Sequence, residues 1–429
     1  MLRTSEKLRN LTIYQVFVRN HTSDGTFTGL RNDLDRIQSL GVDILYLLPI
    51  HPIGIKNRKG ALGSPYSIRD YREINPELGT MSDFRALIHD VHSRGLRLVI
   101  DIVFNHTSRD SRLLSEHPEW FYHNALGEVT NRVGEWWDIT DFDFKADRRL
   151  WVELADTLCF YAGLGVDGFR CDVASLVPIE FWRYARKQVG RINSRTLWIS
   201  ESVHGGFVKY IRDRGFEAWS ESEIYQVFDM AYDYDVQPSM DAYLLGKRPL
   251  RDYLDALARQ EEIYPGNYVK MHNLENHDFP RIAAYVNGDN DKIRNWMGLL
   301  FFLKGAAMIY AGGEYSSPVR PDLFERDLVV QKNDISGLIR MLAHLKKKPV
   351  FATGIYEINR PEIDGVAYNT FENDREQFVG IFNVGLAEGR ISVKFADGKY
   401  RNLLGGKSIK VENGSILLDK DPIVLKIAK

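Results

Sequence analysis

The chain has almost no cysteine: Cys159 and Cys171 are the whole complement in 429 residues. Two are too few for a disulfide framework or a cysteine-based zinc site, so a reduced, cytoplasmic protein is the expectation. A surplus of either charge is missing as well. Lys and Arg number 56 against 58 Asp and Glu, a formal charge of -2 with no basic block, and nucleic acid is therefore not an expected partner. Long apolar runs are also absent; the stretch Leu299–Leu303 stops at Lys304, far short of a bilayer span, so no membrane association is expected. Residues Met1–Asn10 are charged and contain no signal-peptide core. What remains is an ordinary globular composition, 44% hydrophobic and 27% charged, which excludes a disordered or fibrous chain.

Short β-branched runs occur at Ile13–Val18, Asp43–Leu48, Leu96–Val103, Val166–Cys171, Thr196–Ser200, Tyr268–Leu274 and Ala306–Tyr310. Between them lie apolar residues at helical spacing, such as Leu30, Leu34, Ile37 and Leu40. An eighth strand is expected at Ile224–Phe228. Strand–helix alternation predicts a parallel sheet. Eight units without a Gly-rich dinucleotide turn favour a closed (β/α)₈ TIM barrel over an open α/β sheet. The barrel is read as residues 1–348. The connection 104–146, which holds Trp120, Trp136 and Trp137 among several acids, is too long for a βα loop and reads as a short inserted subdomain after strand 3. From 349 to 429 the helical period gives way to short alternating runs: Gln377–Asn383, Arg390–Phe395, Ser408–Val411 and Ile416–Leu418. Gly, Asn and Asp turns separate them, the pattern of a C-terminal antiparallel β-sandwich domain.

Reactive side chains of such barrels sit at the C-terminal ends of the strands. Four polar clusters stand there. DIVFNH supplies Asp101, Asn105 and His106; DGFRCD supplies Arg170 and Asp172; TLWISES supplies Glu201; NLENHD supplies Glu275, His277 and Asp278. Carboxylates on neighbouring strands suit glycoside hydrolysis, which needs one as nucleophile and one as proton donor, close together if configuration is to be retained. Asp172 and Glu201 are so placed. Arg170, two residues before Asp172 and on the same face, is positioned to keep it ionised. Cys171 alternates to the opposite face and reads as packing.

These clusters resemble the signature regions of the α-amylase family of glycoside hydrolases, in the family's order. The resemblance extends to IYQVFVRN (Ile13–Asn20), LLPIHPIG (Leu47–Gly54), GSPYSIRDYREINPELGT (Gly63–Thr80) and IYAGGE (Ile309–Glu314). It implies Asp172 as nucleophile, Glu201 as general acid/base and Asp278 as a third acid that binds sugar hydroxyls. His106, His277 and Arg170 would surround the sugar at the cleavage point, Tyr66 would stack on it, and Asp101 would support the arginine. The implied substrate is an α-1,4-linked glucan oligosaccharide, with no cofactor required. A structural Ca²⁺ on Asn105 and the acids Asp138, Asp141 and Asp143 is the one metal the pattern allows. Ser175 and Leu176 stand where many family members carry Lys-His. The same site serves glucanotransferases, in which a sugar replaces water, so hydrolysis and transfer stay open; a glucan-binding barrel without activity is disfavoured because all three acids are present.

Overall fold

The computed structural model describes residues 4–429; Met1, Leu2 and Arg3, part of the charged start, lie outside them. Eight parallel strands close into a barrel: β1 (Thr12–Val16), β2 (Ile44–Leu47), β3 (Arg97–Ile102), β4 (Gly168–Cys171), β5 (Leu197–Ser200), β6 (Met230–Tyr232), β7 (Lys270–His272) and β8 (Gly305–Tyr310). β1 pairs with both β2 and β8, which leaves no free edge. Along each strand, alternate residues face in and out. Ile13, Ile44, Tyr46, Val99, Ile199, Met271 and Met308 fill the barrel, whereas Tyr14, Leu45, Leu98, Ile100 and Phe169 pack outward under the helices.

Local signals fix the helices. Thr26 caps Phe27–Ser39 by accepting from the Gly29 N–H. Thr80 and Asp83 form a reciprocal capping box at the start of Met81–Ser93. Gly165, left-handed at φ 106°, ends Arg148–Leu164 and turns the chain into β4. The sixth strand differs from expectation. Ser220 and Glu223 make a capping box, so Glu221–Ile224 is a short helix and Val227 and Phe228 pack as a buried turn. The strand comes later, at Met230–Tyr232. An apolar run alone cannot tell a capped helical turn from a strand.

After β3 the chain leaves the barrel and forms a two-stranded antiparallel sheet, His106–Ser108 with Ile139–Asp141, before returning through Arg148–Leu164. Beyond the barrel, two four-stranded antiparallel sheets face each other. Val366, Tyr368, Val379, Ile381, Ile391, Val411, Ile416 and Leu425 fill the space between them. Phe302, Phe351, Phe371 and Phe382 join this sandwich to the barrel helices through ring contacts of 4.8–5.7 Å.

Candidate active site

Strand register assembles the centre of the barrel mouth. β3 and β4 align Asp101 directly with Arg170, both inward-facing and fully buried. β4 and β5 align Cys171 with Ser200, so the residues that follow, Asp172 and Glu201, emerge side by side. Arg170 Nη1 donates to Asp101 Oδ1 at 2.9 Å and to Asp172 Oδ1 at 2.8 Å, and its Nη2 is ion-paired with Glu201 Oε1 at 3.0 Å. The other oxygen of Glu201 accepts the Val173 N–H at 2.7 Å. Val173 adopts φ 41°, a left-handed conformation that β-branched residues avoid. Strain of this kind costs roughly 1–3 kcal/mol and marks sites where geometry outranks local comfort.

Three carboxylates thus surround one buried guanidinium. Arg170 does reach Asp172, as the spacing predicts, but it is shared. Burial, followed by the neighbouring charge of Glu201, holds the Asp172 carboxyl well above the ordinary carboxylate range despite Arg170. Burial likewise pushes Asp101 up to about 6. Asp101 and Asp172, joined through Arg170, are thus both raised above the range of isolated carboxylates.

The imidazoles are set differently. Burial lowers both His106 and His277 to about 3, so they are neutral at working pH. Tyr66 donates to Asp101 Oδ2 at 3.0 Å and lies 2.6 Å from His277 Nε2, while the Gln15 amide lies 3.2 Å from His277 Nδ1. The consistent tautomer of His277 carries its proton on Nε2 and accepts from Gln15 on Nδ1. The Tyr66 and His277 rings stack at 5.3 Å. Asn105 supports His106, its amide 3.1 Å from Nδ1.

Tyr66, His106, Asp172, Glu201, His277 and Asp278 line one cavity of about 460 Å³, with Arg170 beneath its floor. The seven residues that the resemblance sets around the sugar therefore meet in one place. Asp278 stands at the rim, with 42% of its side chain exposed. Glu275 instead turns away to pair with Arg281 at 2.6 Å. Sequence reasoning missed several participants. Gln15 had a signal, a lone amide inside the apolar run IYQVF. Trp136 and Phe207, whose rings pack together at 6.2 Å in the cavity wall, had none beyond being aromatic.

The residues named for Ca²⁺ do not fit a cation. Asp138 is paired with Lys59 at 3.0 Å, and Asp141 Oδ2 accepts the Arg132 N–H at 2.8 Å and its guanidinium at 3.3 Å. Asp143 Oδ1 accepts the Lys145 N–H at 3.0 Å. Among the described residues, no group of three or more His, Cys, Asp or Glu is arranged to hold a metal.

The shared guanidinium yields a pH prediction. The charge of Asp101 raises Asp172, so Asp101→Asn lowers the Asp172 pKa. A carboxylate nucleophile is lost as pH falls through its pKa; the acid limb of the kcat/KM profile should therefore move to lower pH, by about one pH unit. A limb that stays in place or moves up would contradict this reading.

Comparison with known proteins agrees with the geometry. Residues 13–337 match the model of the α-amylase catalytic domain, and 357–425 match that of the bacterial α-amylase C-terminal domain. The crystal structure of an α-amylase from Lactobacillus plantarum superposes with a TM-score of 0.95 at 43% identity, covering 99% of this chain and all of that one. A maltogenic α-amylase, AmyB of Thermotoga neapolitana, gives 0.88 at 31% identity over 99% of this chain and 100% of its own. Among curated relatives, α-amylase MalA of Haloarcula japonica is 29% identical over 94% of this chain and 61% of its own length. An α-1,4-glucan:maltose-1-phosphate maltosyltransferase of Myxococcus xanthus is 33% identical over 46% of this chain and 33% of its own. The chain thus spans less than two thirds of the curated relatives it matches.

Proposed function

Given that the chain belongs to the α-amylase family, we propose that it hydrolyses α-1,4 bonds of maltooligosaccharides with retention of configuration. The observation that carries this reading is the pair Asp172 and Glu201, which share one guanidinium at the floor of one cavity. Carboxyl groups that close suit attack by a carboxylate rather than by a water held between widely separated acids. Glu201 protonates the bridging oxygen as Asp172 attacks the anomeric carbon, forming a β-linked glycosyl-enzyme. Glu201, now a carboxylate, removes a proton from water as that water attacks the same carbon. The bond to Asp172 breaks, and the product leaves with its original α configuration. Tyr66 offers a ring face to the sugar at the cleavage point, Asp278 and the Nε2 of neutral His106 offer hydrogen bonds to its hydroxyls, and His277, engaged on both nitrogens, holds Tyr66 in place.

Maltodextrins within a reducing compartment are the substrates this reading favours, supported by two cysteines that are both free thiols. Chromatography of products from maltotriose tests it. Maltose and glucose alone mean hydrolysis; chains longer than the substrate mean that sugar outcompetes water, and the reading becomes transfer.

A further inference from the structure

The cavity is asymmetric about the two central acids. In the ring of eight strands, β1 lies four places from β5, so the loops of β8, β1 and β2 face Glu201 across the mouth. Those loops are tied together. The Leu62 N–H donates to the Phe324 carbonyl at 3.0 Å and the Ala61 N–H to Glu325 Oε1 at 2.7 Å. Buried Arg19, just after β1, donates to the carbonyls of Gly63 and Leu323 at 3.3 and 3.2 Å. Gly60, at φ 64°, lies so close to Phe324 that an added Cβ would come within 2.6 Å of it. At the other end of this band, Lys59 pairs with Asp138 of the inserted subdomain at 3.0 Å and sits over the Trp137 ring at 4.5 Å. Lys59 and Phe324 line the same cavity as Asp172. On the Glu201 side, where Val203, His204 and Phe207 line the cavity, His204, Gly205 and Gly206 are exposed to solvent.

A proton donor marks the side on which the leaving group lies, so the sugar chain held by Asp172 must point the other way, into the band. We propose that this wall makes the enzyme exo-acting: it holds a short stretch at the non-reducing end of an α-1,4-glucan and releases it as a fixed unit, while the rest of the chain runs out past Phe207. The proposal rests on the hydrolase reading above. Maltoheptaose and maltoheptaose capped by a 4,6-O-ethylidene group on its non-reducing end separate the two. The uncapped sugar should be cut at least 100-fold faster than the capped one. In Lys59→Ala/Phe324→Ala the capped-to-uncapped ratio, read within the variant so that a lower overall rate does not matter, should rise at least tenfold. Equal cutting of both sugars by the wild type, or an unchanged ratio in the variant, overturns the wall. Cleavage of neither sugar overturns the hydrolase reading and the wall with it.

A separate observation concerns the root of the inserted subdomain. Arg132 lies against Asp141 Oδ2, donates to the Phe142 carbonyl through both Nη atoms at 3.1 Å, and is flanked by the rings of Tyr122 and Phe216 at 4.7 and 5.7 Å. The Phe142 N–H in turn donates to the Asn105 carbonyl at 3.0 Å, at the end of β3. Of the Asp141 oxygens only Oδ1 lacks a partner, far from the six to eight or so that Ca²⁺ takes. We infer that Arg132 is the built-in cation joining subdomain to barrel, in the place of a metal. The melting temperature of the full chain should be the same in EDTA and in Ca²⁺, and Arg132→Ala should lower it by more than about 3 °C. A fall of that size on EDTA, restored by Ca²⁺, overturns the inference, as does an Arg132→Ala variant that melts with the wild type.

Discussion

Asp172→Asn is expected to reduce the release of reducing sugar from maltoheptaose by about 10⁴-fold or more, because an amide oxygen does not form the glycosyl ester on which the second step depends. The same substitution should leave the fold intact. Three acids share Arg170, and Asp172 is held above the ordinary carboxylate range by burial and by the charge of Glu201. A buried charge whose pKa is raised costs stability where it is ionised, so an uncharged isostere relieves that cost near neutral pH. The Asn carbonyl still accepts from Arg170 Nη1. Thermal melting should therefore place Asp172→Asn at or above the wild type. Residual activity within tenfold of wild type would remove Asp172 from the role of nucleophile.

Glu201→Gln carries the second large effect, and its signature is a dependence on the leaving group. On maltooligosaccharides the variant should lose about 10³-fold, within the range of general acid–base catalysis. α-Maltosyl fluoride needs no proton to lose its fluoride, so its first step should run close to the wild-type rate. Water then lacks a base, and the glycosyl-enzyme accumulates. Azide, an anion that needs no deprotonation, should restore turnover and give the α-glycosyl azide. An equal loss in the first step on both substrates, with no rescue by azide, would mean that Glu201 only positions Asp172 through Arg170.

Much of this site is visible in the sequence because a barrel converts chain order into spatial order. Acids that follow apolar strand runs must meet at one mouth, and residues two apart, such as Arg170 and Asp172, share a face. The sixth strand was harder to place because Ser220 and Glu223 form a local cap inside an apolar stretch that also suits a strand. The wall opposite Glu201 cannot be read from sequence at all. Lys59, after β2, meets Asp138 only because the inserted subdomain after β3 folds back over the mouth, and Leu62 meets Phe324, which follows β8, only because the ring closes β8 onto β1. The acids of the inserted subdomain look free in sequence because their partners too are set by the fold. Arg132 stands nine residues from Asp141, and only the antiparallel return of the chain sets guanidinium against carboxylate.

The central claim is that Asp172 makes a covalent bond to the sugar, and its most direct test is the mass of the trapped enzyme. Glu201→Gln incubated with α-maltosyl fluoride and quenched in acid should yield a digest in which the peptide containing Asp172 alone is heavier by one maltosyl unit. An adduct on Asp278, or an unmodified protein after fluoride has been released, would contradict it.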